Sequence, residues 1–221
     1  MSDVNRIVLE VAPKKSFASA LDWPGWSRSG KTRDAAIQVL TDYAPRYLKV
    51  AEIAGIDGVL VAATTWNTID EVSGNGATEF GVPEHIHDVE RSFFAQDELE
   101  RQIALLRASW QYFDEMGERV SAEMQKGPRG GGRDRDVIVR HVIDCEPNYA
   151  RRIGADTPSA LVATPEGLAE HRRRVVARIH EVNENQLETK WPLPYFVRRA
   201  AWHVLDHAWE MEDKDLTGKE R

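Results

Sequence analysis

Apolar and polar positions follow two different rhythms along this 221-residue chain. From Gln96 onward, Leu99, Ile103, Leu106, Trp110, Phe113, Met116 and Val120 step by three or four, the repeat of a long amphipathic helix. After the loop-forming KGPRGGGRDRD, a second helix is expected in DVIVRHVIDCEPNYARRIG, where Val137, Ile138, Val142 and Cys145 alternate with charged residues and Gly154 closes the segment. A third follows in LAEHRRRVVARIHEVNENQLETK, with Leu168, Val175, Val176, Ile179 and Val182 on its buried side. Trp191-Pro-Leu-Pro194 then interrupts the chain before RRAAWHVLDHAWEMED, residues 198–213. There Ala200, Ala201 and Ala208 favour helix, and Trp202, Leu205 and Trp209 form an apolar stripe.

The first third reads differently. In residues 6–22, Ile7, Leu9 and Val11 alternate with other positions, and a second run begins at Phe17 after a Pro-Lys-Lys turn, so a β-hairpin is expected. Ala35, Ile37, Val39, Leu40 and Tyr43 suit a helix opened by Thr32 as N-cap, with Pro45 ending it, kinking it or opening another. Residues 55–95 turn to Gly, Thr and Asn, with one β-rich run from Val59 to Trp66 and a loop at SGNGATEFGVP. The change of period predicts a two-domain α+β protein: a small α/β domain over residues 1–90, then an all-α four-helix bundle over 91–221.

Composition narrows the function classes. Apolar and charged fractions of 42% and 29% are those of a globular protein, and a net charge of −7 argues against nucleic-acid or anionic-membrane partners, which need a positive field. No apolar run approaches the ~18 residues of a membrane span, and MSDVNRIVLEV lacks a secretory layout. A single cysteine excludes an internal disulfide, so a cytoplasmic protein is the simplest account. Seven tryptophans are compatible with a homodimer contact.

The candidate chemistry lies in the last helix. His203 and His207, four residues apart, project from one helical face about 6 Å apart along the axis and form a usable pair of metal ligands. Two imidazoles seldom hold a first-row metal tightly, and His141 in the second predicted helix is the best third candidate. Asp144, Asp206 and Glu210 are placed to orient imidazoles. With its three histidines in helical context, the stretch from about residue 95 to 215 resembles the DinB-like family of four-helix bundles. That resemblance implies a metal held by His141, His203 and His207, and a metal-dependent transferase that uses a low-molecular-weight thiol on a small-molecule substrate. Three imidazoles leave coordination positions open for a nucleophilic water or thiol, so a hydrolase also fits. Zn, Ni, Fe and Mn all tolerate imidazole. Glu146, Asp206 and Glu210 are the candidate general bases, and Cys145, four residues after His141, is a buried thiol or a fourth ligand.

Two other classes compete. Gly25-Trp-Ser-Arg-Ser-Gly30-Lys31-Thr32 matches G-x-x-x-x-G-K-[ST] and would make the protein a nucleotide-binding NTPase. However, no Val/Ile-rich strand feeds the loop, and Trp23, Pro24 and Trp26 crowd it. Residues 5–55, with Pro24, Gly25, Gly30, Thr32, Ala35 and Ala36 in sequence, resemble instead the HicB-like antitoxin fold, which implies docking of a small protein partner and a non-catalytic binding or regulatory role. The remaining histidines take plain readings: His85 and His87 as solvated loop residues rather than an H-x-H metal pair, His171 and His180 as solvated residues on the third helix's charged face. Trp202 and Trp209 are expected in the core or lining the site.

Overall fold

The computed structural model describes residues 5–56, 65–128 and 130–218. The hairpin forms as the alternation predicts: β1 (Asn5–Val11) pairs antiparallel with β2 (Ser16–Ala20), Ile7 opposite Ala20 and Leu9 opposite Ala18. Strand β3 (Ser27–Gly30) continues the antiparallel pairing on β2. On the other side β1 pairs parallel with β4 (Trp66–Ser73), giving a mixed sheet of order β3-β2-β1-β4. Trp66, the end of the expected β-rich run, thus opens β4, while the part of that run up to residue 64 lies outside the described residues.

Side chains alternate across the sheet, so its two faces have different neighbours. Ile7, Leu9, Ala18 and Ala20 share one face and join Trp23, Trp26, Leu40 and Tyr47 in the core. Here α1 (Arg33–Asp42) packs on β2 and β3. Thr32 caps α1, its hydroxyl accepting from the Ala35 amide at 3.2 Å. Pro45, within the first two positions, opens a separate helix α2 (Ala44–Ile53), where its missing N–H is harmless. On the opposite face Phe17 meets the Trp202 ring edge-on at 6.4 Å, and Glu10 is buried. The segment Gly25–Thr32 is therefore a turn, an edge strand and a helix cap, with Trp26 fully buried and stacked on Tyr47. Its backbone follows the β ladder instead of wrapping an anion, which removes the geometry a phosphate loop needs.

A five-residue helix α3 (Gly76–Phe80) and a 3-10 turn at Asp88–Arg91 lead to four long helices: α4 (Gln96–Arg119), α5 (Arg135–Ala150), α6 (Pro165–Glu184) and α7 (Leu193–Lys214). Every apolar residue of the predicted α4 stripe is buried, from Leu99 to Val120. Each such side chain contributes roughly 1.5–3 kcal/mol of burial free energy. All three preceding long helices touch α7, in which 15 of 22 residues are buried, including Arg198, Arg199 and His203. The sheet also reaches α7. A Cβ on Gly25, at φ +88°, would lie 2.9 Å from the Ala201 carbonyl carbon and 2.8 Å from Leu205. Arg28 of β3 pairs with Asp206 at 3.0 Å. One continuous set of buried residues runs from Ile7 and Leu9 through the long helices to Met211. The class is α+β, a mixed four-stranded sheet followed by a mainly helical remainder.

Candidate metal centre

Helical spacing sets two facing stripes. On α5, His141, Cys145 and Tyr149 repeat every four residues; on α7, Arg199, His203 and His207 do the same. The helices run antiparallel here, since His141 faces His203 and His207 while Tyr149 faces His203 and Arg199. Ring centroids lie 5.3 Å apart for His141–His203, 5.1 Å for His141–His207 and 4.9 Å for His203–His207. One ligand atom each from His141, Cys145 and His203 falls within 4.8 Å of the others, the only such group among the described residues. This group could hold a metal ion. His207 lies outside that tightest trio, although its ring touches both other imidazoles.

The electrostatics keep these donors neutral or oriented. His203 is 8% exposed, and burial, followed by the nearby His207 and Arg199, drives its pKa far below the imidazole range. His141, partly exposed, is lowered by the same causes in smaller measure: burial, then His207 and Arg133. Both rings thus offer lone pairs at neutral pH. Burial, then Asp144, pushes the Cys145 thiol up, so without a cation it stays protonated. His207 Nδ1 lies 2.7 Å from Glu210 Oε2. With the carboxylate accepting the Nδ1 proton, Nε2 keeps a free lone pair that can ligate a metal, the usual arrangement behind a metal-binding histidine. Glu210 also accepts from Lys214 at 2.6 Å and Arg133 at 3.1 Å. Burial alone would raise its pKa, but the hydrogen bonds from His207 and Lys214 outweigh it and hold the group as a carboxylate well below its ordinary value.

The other expected acids are engaged elsewhere. Asp206 pairs with Arg28, and Asp144 with Arg140 at 2.7 Å. Glu146 is buried in a two-point pair with Arg172 at 2.8 and 3.1 Å, and burial pushes its carboxyl up despite that pair. His171 corrects the surface reading: it is 1% exposed, with Nδ1 2.6 Å from the Thr157 hydroxyl and Nε2 3.9 Å from Glu146. Its neighbours on α6 are charged, but Arg172 itself turns inward to Glu146, so the apparent polar face is partly buried. Glu146, His171, Tyr149 and His203 line a cavity of about 20 Å³, room for one water. His180, half-buried, lies 3.7 Å from Glu100.

His87 is likewise not solvated. It is fully buried, with Nδ1 2.7 Å from Asp70 of β4, and the neighbouring Arg198 binds both the His85 carbonyl (2.8 Å) and Glu90 (2.6 and 2.9 Å). Pro83 and the acidic flanks suggest a linker, whereas the segment is the filling between sheet and α7. Trp202 and Trp209 are core residues, and Trp202 also borders the histidine cluster at 6.3 Å from the His203 ring. Sequence reasoning missed Arg199, Tyr149 and Arg133. The first two were marked by the same four-residue step that exposed the histidine pair. Comparison with protein-family models, with curated proteins and with solved structures gives no significant match to this chain.

Proposed function

We propose that the chain is a metal-dependent transferase of the DinB-like kind, with a divalent ion held by His141, His203 and His207 and a small thiol as cosubstrate. The observation that carries this reading is the convergence of three imidazoles and the Cys145 sulfur from α5 and α7. Four long helices, two of which carry inward donors on facing stripes, support the four-helix-bundle reading. A hairpin, a short strand and a Thr-capped helix in order support the HicB-like reading of residues 5–55. A bound divalent cation lowers the pKa of a coordinated thiol or water, making a nucleophile available near neutral pH. The protein's own residues prepare that position. Burial holds His203 neutral, Glu210 fixes the His207 ring, and the Tyr149 and Trp202 rings limit water at the His203 side. Sulfur within reach of two imidazoles favours zinc or iron over manganese.

The test is metal content after purification and after titration with zinc. Wild type is expected to carry one tightly held ion per chain, and His203→Ala to lose it while keeping its helical circular dichroism. Cobalt-loaded protein should gain a thiolate charge-transfer band when 2-mercaptoethanol is added, also in Cys145→Ser, which separates added thiol from the protein's own sulfur. An ion retained by His203→Ala, or no uptake by wild type, removes the proposal.

A further inference from the structure

Arg199 has surroundings unlike those of the other inward-facing arginines. Arg198 is held by Glu90, Arg172 by Glu146 and Asp114, and Arg28 by Asp206. Arg199 is 8% exposed and, among the described residues, meets no carboxylate and makes no hydrogen bond; its Nη1 is buried without a partner. Its guanidinium carbon lies 4.4 Å from the Trp202 ring centroid and 5.5 Å from that of Tyr149. Both rings border His203, at 6.3 and 5.3 Å. Trp191, half-buried, closes the aromatic wall at 5.4 Å from Tyr149. Aromatic faces stabilise a cation but leave its in-plane N–H groups unsatisfied, and a desolvated guanidinium with open donors is matched by a planar anion.

We infer that Arg199, one helical turn from His203, is the recognition site for a carboxylate carried by the substrate or by its thiol cosubstrate. A carboxylate fits better than a phosphate because two parallel N–H···O bonds from one planar fork satisfy a monoanion. The inference deepens the proposed function, since its place beside the reacting centre rests on that reading, but carboxylate binding itself does not require the metal. Arg199 would then be a binding and specificity residue.

The experiment titrates the full chain, chelator-treated and zinc-loaded, with propionate, 2-mercaptoethanol and 3-mercaptopropionate. Tryptophan emission and calorimetry report binding. Propionate is expected to bind saturably to both forms of wild type, with affinity at least tenfold weaker in Arg199→Met and intermediate in Arg199→Lys, which keeps the charge but not the fork. If the carboxylate belongs to the thiol, 3-mercaptopropionate binds the zinc form more tightly than propionate does. If it belongs to the other substrate, propionate and 2-mercaptoethanol bind together. Zinc that changes neither thiol's affinity would sink the thiol-transferase reading alone and leave Arg199's role standing. Absence of saturable propionate binding in wild type overturns the inference whether or not the variants fold, and so does unchanged affinity in a folded Arg199→Met.

Discussion

Arg198 and Arg199 are neighbours on α7, both more than nine-tenths buried, yet they belong to different kinds of interior. Arg198 points toward the sheet, where Glu90 and the His85 carbonyl accept its protons, Glu10 and Thr78 bond each other, and His87 meets Asp70. There nearly every polar atom is spoken for, His87 Nε2 being an exception. Arg199 points toward α5, into a region of neutral imidazoles, a protonated thiol and a cation with no counter-charge. A satisfied buried network fixes a structure, whereas one left open is a place for something else to bind. The comparison separates a closed polar centre from an open one along a single helix.

The difference can be broken at several strengths. Removing the counter-charge on the closed side has the largest expected effect: Glu90→Gln strands Arg198 and should destabilise the fold by about 3–5 kcal/mol in urea denaturation. A loss under 1 kcal/mol would mean that the sheet side is less committed than described. Next comes acid. Burial, then Arg172 and Arg174, lowers His171 to about 4 from an ordinary 6.5, so the unfolded chain binds a proton in that interval that the folded one refuses. Stability from this residue is intact above pH 6.5 and falls by up to about 1.4 kcal/mol per pH unit as pH drops toward 4. His171→Asn, which can keep a bond to Thr157, should flatten that part of the stability profile by about one proton. An unchanged slope would place the titrating group elsewhere.

On the open side, Glu210→Gln should weaken zinc binding about 10–100-fold by loosening His207, with little change in the melting temperature of the metal-free chain. Equal zinc affinity would show that His207 needs no orienting carboxylate. The smallest effect sharpens the contrast from outside both centres. Thr32→Ala removes a helix cap and should cost about 1 kcal/mol, with zinc affinity unaltered.

Periodicity alone revealed much of this molecule. The α4 stripe, the hairpin, the Thr32 cap and the helical placement of His141, His203 and His207 all follow local rules of spacing and capping. What stayed hidden depends on partners far away in sequence. The parallel pairing of β4 with β1 joins segments some sixty residues apart, so no turn or short-range pattern announces it. His87 and His171 looked solvated because charged residues surround them in sequence, but Asp70, Thr157 and the turned-in Arg172 supply an interior polar environment. Arg199 was passed over for a related reason. A basic residue in an Arg-Arg pair looks like surface until the helix proves to be central.

The bare α-carbon of Gly25 has a consequence beyond its turn. Because it sits directly on Ala201 and Leu205, the strand connection serves as a thrust bearing for the stretch of α7 between His203 and its neighbours one turn away. Even a single methyl there would wedge sheet and helix apart, and the displacement would reach the imidazole cluster without any change in its own residues. The amino-terminal third is in this sense the mould against which the histidine cluster is set, and severing it would disperse that cluster as well as bare the helix.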